Sequence, residues 1–577
     1  MTLVSAVAAA ASIGKPAPTI GRNRVVATVL SGHIPAPGPA GTSRLSLGTL
    51  EAIVKSRSID LARPADAAIP PRRTGGCLLT AESTVLSDQT CTSRRMVSGQ
   101  LAVDPTRPWH LLAGQNDARD GYSHCYYYSS RDGGVVWGDG FPAFLQRANQ
   151  GTFNDPLVAP AQPSGHNYDT ASDPVIAFDS GGQGYLACAV FDINSPASSI
   201  MVTAAVEKTV PGGPAVKSAE PHVVTEDNNS AIFNDSPTLA ADWHTGSPFR
   251  DHLYLAWSRL SCDASGACLS NIYLSRSTDR GQSWSAPTLI SGGGTVCGGD
   301  CSLSQGAAIV TRQDGLVSVA FNNANSGRPL LNQQLLVQSR DGGRSWSQPV
   351  KIGDDFLASH LDGALHPTCD LGLGPEECVS TPSFVRLRDV PRIAVDSSGA
   401  TFAVVWQDYR NGRCLSDYVE RCAISGGISD ENYDVIEATS TDGGANWTSR
   451  AIFPERPPGA AQFDPSAAIN GATGAMAISY YDRGLNDDIT NSRMDYTLSL
   501  ARSASDPLSR ILVSRLPDSL PEDASQKLIG FARAYAGPVW SRSTVLVLWS
   551  DGRRLDRNDV PSPTGKLSGP SVIAVPT

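Results

Sequence analysis

Ser339-Arg340-Asp341-Gly342-Gly343-Arg344-Ser345-Trp346 reads Ser-x-Asp-x-Gly-x-x-Trp. The same frame returns at Ser130, Asp132, Gly134 and Trp137, at Ser277, Asp279, Gly281 and Trp284, and at Ser440, Asp442, Gly444 and Trp447. Four copies of a four-point pattern exclude coincidence, and the chemistry is that of a tight turn between two strands. An Asp carboxylate accepts backbone N–H bonds from its own turn. Gly supplies a positive φ that a Cβ resists, and the Ser hydroxyl adds a further bond. The Trp then opens the next strand, where its ring can bury against a neighbouring sheet. None of this requires a substrate.

These copies resemble Asp-boxes, the bacterial neuraminidase repeat. The resemblance implies a β-propeller of the sialidase superfamily over about residues 95–577, with each box between the third and fourth strands of a blade. It also implies a chemistry: three Arg for a substrate carboxylate, a Tyr nucleophile activated by a carboxylate, and an Asp as acid/base. The Tyr nucleophile departs from the usual pair of carboxylates.

A second repeat lies upstream of the boxes. Its clearest copy is Pro391-Arg-Ile-Ala-Val-Asp396, then Ser-Ser-Gly, then Thr401-Phe-Ala-Val-Val-Trp406, which is strand, turn, strand. Related segments begin at Gly99, Pro174, Pro237, Gly306, Pro465 and Ala534. Seven anchors predict seven four-stranded blades, with the six of the sialidases as the alternative. The anchors stand 63 to 85 residues apart, while a blade needs only about 40–45. The surplus falls in loops, where function concentrates on a rigid scaffold. The second unit lacks a box and the sixth has only Ser503-Ala-Ser-Asp506. The last unit runs short of strands, so an N-terminal strand near Thr84–Leu86 or Val25–Leu30 is expected to close the ring.

Bulk properties agree. Short Val/Ile/Ala/Tyr runs between Gly, Asp and Asn clusters are an all-β signal, and 54 Gly with 40 Pro supply the turns. A net charge of −10 argues against a nucleic-acid binder. No apolar run reaches transmembrane length, and a monomer is expected. Leu3 to Ala11 is apolar with no basic residue before it, either a poor signal peptide or an Ala-rich leader. Residues 1–75 form a leader or linker and 76–577 a single propeller domain.

The 12 Cys fall into close pairs: Cys77 with Cys91, Cys262 with Cys268, Cys297 with Cys301, Cys369 with Cys378, and Cys414 with Cys422. Cys125 and Cys188 are left as a cross-blade pair. An even count in close pairs, without His at zinc-ligand spacing, favours disulfides and a secreted or periplasmic location. No motif calls for a cofactor or metal; a structural calcium stays open.

Strands alternate in direction within a blade, so the turn between strands one and two shares a face with the box. The opposite face is the functional face of sialidase-like propellers. Before strand one it carries Asp173, Asp235, Asp389 and Asp464; after strand two it carries Asp117-x-Arg119, Asp408-x-Arg410, Asp482-Arg483 and Asp551-x-Arg553. Such Asp/Arg pairs serve equally as locks between blades. An Arg fork matches a carboxylate, so Arg119, Arg410, Arg483, Arg553 and His166 are the candidate substrate-binding residues, with His360 and His366 on the same face. Asp235, Asp389, Asp173 and Tyr481 are the catalytic candidates, and Tyr535 a further tyrosine. The family's Phe/Tyr-Arg-x-Pro is missing, since Phe249-Arg250 runs on into Asp251. The leading expectation is a secreted, exo-acting glycosidase on anionic glycans. A uronide lyase and a non-catalytic glycan- or protein-binding propeller are the alternatives.

Overall fold

The computed structural model describes Thr49 and most of the chain from Val85 to Pro576. Its described stretches are interrupted at 87–95, 118–122, 135, 141–165, 193–195, 211–212, 230, 264–267, 327–330, 357–377, 380–384, 387–388, 409, 411–432, 454–461, 483–493, 517–536 and 552–568. Every named element is a strand, apart from a 3-10 turn at Thr295–Cys297.

The strands form radial sheets. Blade one holds Met96–Val103, Leu111–Asp117, His124–Ser130 and Gly138–Gly140. Blade three holds Ile232–Ala241, Leu253–Cys262, Cys268–Ser277 and Thr288–Leu289; blade four holds Ser304–Thr311, Val317–Asn323, Leu331–Ser339 and Val350–Phe356. Blade five holds Arg392–Val395, Phe402–Asp408, Asp434–Ser440 and Thr448–Ala451; blade six holds Gln462–Ile469, Met476–Asp482, Met494–Ala501 and Ser509–Leu516. The last blade holds Gly537–Ser541, Thr544–Asp551 and Gly569–Pro576, and its outer edge is Val85–Leu86, antiparallel to the C-terminal strand with Val85 opposite Val572. The expected N-terminal closure is therefore made by Val85–Leu86.

These are six four-stranded blades, the alternative count. One further sheet stands in second place and departs from the expected four strands. Its path is Thr170–Phe178, Gly184–Phe191, Ala197–Val210 and His222–Asn228, with Gly213–Ser218 as a fifth strand. The physical reason is the missing box. Without a turn to stop it, the third strand runs on and folds back as a ribbon that packs on the outer strands of blade one. The first strand of each sheet touches the first strand of the next, and the last touches blade one, so the ring closes.

The four Ser-x-Asp-x-Gly-x-x-Trp frames stand at the ends of third strands. In the fourth blade the Ser339 hydroxyl donates to Asp341 (2.8 Å) and accepts the Gly343 N–H (2.8 Å); Asp341 Oδ1 accepts the N–H groups of Arg344 and Ser345, each at 2.9 Å. Gly343 has φ 82°, a left-handed position that only Gly occupies without strain. In blade one Ser130 donates to Asp132 at 2.8 Å, and Asp132 Oδ1 accepts the Val136 N–H at 2.9 Å. Asp132 is thus bonded within its own turn. The Ser–Asp and Gly–Ser bonds recur in all of these other boxes at 2.7–2.9 Å. The strand one–two turns share this face: Gly133 of a box donates to the Trp109 carbonyl (2.8 Å), and Gly443 to Ala400 (3.2 Å).

Each box Trp packs into the cluster between its own blade and the preceding one. Only Trp137 is fully buried; Trp284, Trp346 and Trp447 are half-buried rather than buried as expected. Around those three the outer strand is itself exposed at Thr288, Val350 and Thr448, whereas Gly138 beside Trp137 is covered.

Three disulfides join described residues: Cys262–Cys268, Cys297–Cys301, and Cys125–Cys188 between the first two sheets. The other expected pairs are not among them. Cys77 with Cys91, Cys369 with Cys378, and Cys414 with Cys422 all lie outside the residues whose side chains are described. Of these six, Cys378 alone falls in a named strand, Cys378–Val379, which pairs with Val385–Arg386. No helix among the described residues is long and apolar enough to cross a membrane.

Candidate functional site

Blade topology places one end of every first strand, and the end of every second strand, on the face opposite the boxes. The first strands start earlier than the sequence suggested: Asp173, Asp235 and Asp464 lie within them, and only Asp389 precedes its strand. The reason is a β-bulge. Proline cannot donate to a ladder, and at Asp173-Pro174, Ser236-Pro237 and Asp464-Pro465 the register shifts and the strand continues past it. The residue before each of these prolines is left-handed, with φ 55°, 55° and 50°. Gly306 takes the same place in blade four at φ 65°.

The N–H groups at these bulges are satisfied by the neighbouring blade. Asn116 Oδ1 accepts from Asp173 N (2.8 Å), Ser258 Oγ from Gly306 N (3.3 Å), and Gln407 Oε1 from Asp464 N (2.6 Å). Asn322 and Gln334 donate to the Asp389 carbonyl at 3.0 and 2.7 Å. Much of the polar ring on this face is thus a set of stitches between blades. That is why polar residues repeat there.

The residue just ahead of the shift is Ser172 in the second sheet and Asp235 in blade three, so these two occupy the same rung of adjacent sheets. Both are fully buried. Between them stands Thr49, far upstream in the chain and also fully buried. Its hydroxyl donates to Asp235 Oδ1 at 2.6 Å and lies 2.7 Å from Ser172 Oγ.

The same two sheets carry further polar and charged groups. Arg259, opposite Asn234 in the ladder, bonds Asp227 at 2.8 Å and lies over the Tyr273 ring at 5.4 Å. Asn234 donates to Asp227 (2.7 Å) and accepts from the Trp257 indole N–H (2.9 Å), which fixes the pair. His166 Nε2 meets Asp192 at 2.7 Å, and its ring stands edge-on to Tyr168. The Tyr168 hydroxyl donates to Glu226. Burial pushes that hydroxyl far above its ordinary pKa, and the Glu226 carboxylate adds to the rise. Asp227, Arg259, Tyr168 and Glu226 had no signal in the sequence, since none belongs to a repeated position.

The other candidates divide. Arg410 is turned back on Asp408, with Nε 2.9 Å and Nη2 2.6 Å from Oδ2, and also donates to the Asp354 carbonyl (2.8 Å). Its guanidinium lies over Phe356 and Trp406. Asp482 is held by Arg510 of its own blade at 2.5 Å. Tyr481 is fully buried, stacked on Phe463 at 5.7 Å and edge-on to Tyr496 at 4.7 Å. Asp389 and Asp173 are buried on the same face, in the fifth and second sheets. Arg119, Arg483, Arg553, His360, His366 and Tyr535 lie outside the described residues. Among the described residues, no group of three or more His, Cys, Asp or Glu is placed to hold a metal.

No family model matches the chain, and no curated protein matches it. Solved structures are similar at a distance. A Hadza microbial sialidase is 12% identical over 81% of this chain and 73% of its own, with TM-score 0.39. An α-L-arabinofuranosidase from Fusarium graminearum is 13% identical over 74% of this chain and 98% of its own, with TM-score 0.40. A variant of the NanB sialidase from Streptococcus pneumoniae is 12% identical over 87% and 71%, with TM-score 0.39. Likeness this remote says nothing of what the chain acts on.

Proposed function

We propose that the protein is a secreted glycoside hydrolase of anionic glycans, exo-acting, with its site on the face opposite the Asp-boxes and centred on blade three. The observation that carries this reading is Asp235: a buried carboxylate whose Oδ1 holds, at 2.6 Å, a hydroxyl from outside the ring of blades. A general acid must come within hydrogen-bond reach of the oxygen it protonates, and Asp235 has that reach toward a hydroxyl-bearing group. Arg259, one rung away and partly exposed, supplies a positive charge oriented by Asp227. In this reading Asp235 is the acid/base, Arg259 attracts the anionic part of the sugar, and Asp173, Asp389 and His166 complete the polar rim. Tyr168 on Glu226 is a tyrosine–carboxylate pair of the kind a tyrosine nucleophile needs, shielded in this conformation. The disulfides fit an oxidising compartment outside the cytosol.

A second reading, a non-catalytic glycan-binding propeller, is favoured by one observation. Arg410 and Arg510 are each neutralised by a carboxylate of their own blade. Hydrolysis of a panel of fluorogenic glycosides, sialosides among them, separates the two. Turnover that falls about 10²–10⁴-fold in Asp235→Asn supports the hydrolase. Glycan binding with no turnover supports the binding module, and turnover unchanged by Asp235→Asn removes Asp235 from the chemistry.

A further inference from the structure

Thr49 reaches the candidate site with its hydroxyl. Thr49 lies 123 positions before Ser172 and 186 before Asp235, yet its side chain touches both and is shut off from solvent. A hydroxyl has one proton to give. The Thr49 proton is committed to Asp235, so Ser172 donates to the Thr49 oxygen. The result is a directed chain, Ser172 to Thr49 to Asp235, running across two neighbouring sheets at one rung of the ring. The Thr49 hydroxyl thus spans two sheets.

The hydroxyl of threonine and a secondary hydroxyl of a sugar ring have the same donor and acceptor capacity. We propose that Ser172 and Asp235 form a hydroxyl-binding subsite for a sugar ring, and that Thr49 occupies it as an intramolecular stand-in for substrate. This deepens the glycan reading of the same site and rests on it. Thr49 and a glycan compete for one place, so full access requires Thr49 to leave it. The competition is intramolecular, and its strength is set by the effective concentration of the tether. A cut anywhere between Thr49 and Val85 would turn it into a bimolecular one. The closing strand Val85–Leu86 lies downstream of any such cut.

The test uses the full chain with a specific protease site introduced between residues 60 and 74, upstream of Cys77. After cutting, the leader fragment is removed, and N-acetylneuraminic acid is titrated into cut and uncut protein by calorimetry. A synthetic peptide of residues 40–58, with and without Thr49→Val, is then added back. The expected results are about tenfold tighter sugar binding after leader removal, and a rebinding peptide weakened about tenfold by Thr49→Val. That tenfold is the scale of one hydrogen bond to a carboxylate. The sugar should also displace the peptide. Equal sugar affinity in cut and uncut protein, or a peptide that does not rebind, overturns the stand-in alone. No binding of any sugar in the glycoside panel to the leader-free protein overturns the glycan reading with it. Should removal of the leader unfold the ring, the uncut Thr49→Val chain carries the same measurement: a gain in sugar affinity supports the proposal, and none overturns it.

Discussion

The Arg410 guanidinium closes on the Asp408 carboxylate two residues before it, and Asp408 is fully buried at the end of a second strand. Burial raises that carboxyl above its ordinary pKa, and Arg410 offsets only part of the rise. Removing one member of such a pair leaves the other uncompensated, at a cost of about 3–5 kcal/mol. Arg410→Ala should therefore lower the urea midpoint strongly, whatever it does to glycans. A variant with wild-type stability and weakened glycan binding would return Arg410 to the binding residues.

The disulfides should differ in worth. Chain-entropy reasoning gives about 4 kcal/mol for a loop the size of the one closed by Cys125–Cys188, and about 2 kcal/mol for that of Cys262–Cys268. Their sequence separations are 63 and 6. Paired Cys→Ser variants compared by urea denaturation should fall in that order. The reverse order would mean that native-state strain, not loop length, sets the cost.

Trp137→Ala should cost about 3–5 kcal/mol, as a fully buried aromatic does. Trp447→Ala should cost clearly less, because its ring is only half covered. Denaturant midpoints that do not separate the two variants would count against the difference in burial.

Acid should loosen the boxes. Asp442 is held at about 2, chiefly by the Asn446 backbone N–H, then by the Asn446 side-chain amide and the Ser440 hydroxyl. Asp341 also stands at about 2: burial pushes it up, and the hydroxyl and N–H of Ser345 with the Ser339 hydroxyl outweigh it. Asp279 is held at about 2 in the same way, against burial, by Ser283 and Ser277. A carboxyl whose folded pKa lies below its unfolded value, about 3.9, adds stability above that value and loses it as pH falls through the folded one. The loss belongs between about pH 4 and about pH 2. Melting temperature against pH for wild type and for the triple Asp→Asn variant at these positions should converge over that window. Parallel curves would mean that the boxes do not titrate.

What could be read from the chain was what is local. A box is eight residues of turn chemistry, so Ser339, Asp341 and Gly343 announce it without help from the rest of the fold. The strand–turn–strand frame at Pro391 to Trp406 is equally local, and the need for a closing strand followed from the shortage in the last unit. What stayed hidden depends on long-range pairing. The fifth strand Gly213–Ser218 exists because Ala197–Val210 is not stopped, and the absence of a box does not say what replaces it. Asp173 and Asp464 read as residues before a strand because a Pro follows each, and only the bulge shows the strand running through. Whether Arg410 faces a ligand or Asp408 is a matter of side-chain direction, which spacing cannot give. The place of Thr49 is set by tertiary packing alone.

The pairing of Val85 with Val572 also constrains when the protein can become whole. As the chain leaves the ribosome, its first blades can collapse on one another at once. The edge made by Val85–Leu86, however, has no partner until Gly569–Pro576 has been synthesised. Throughout that interval the nascent ring is an open arc with unpaired strand edges at both ends, the condition in which β-proteins stick to one another. Its final closure joins residues as far apart as Val85 and Val572, a slow, high-contact-order event. Slower synthesis would lengthen that interval, and with it the time in which open edges can meet other chains.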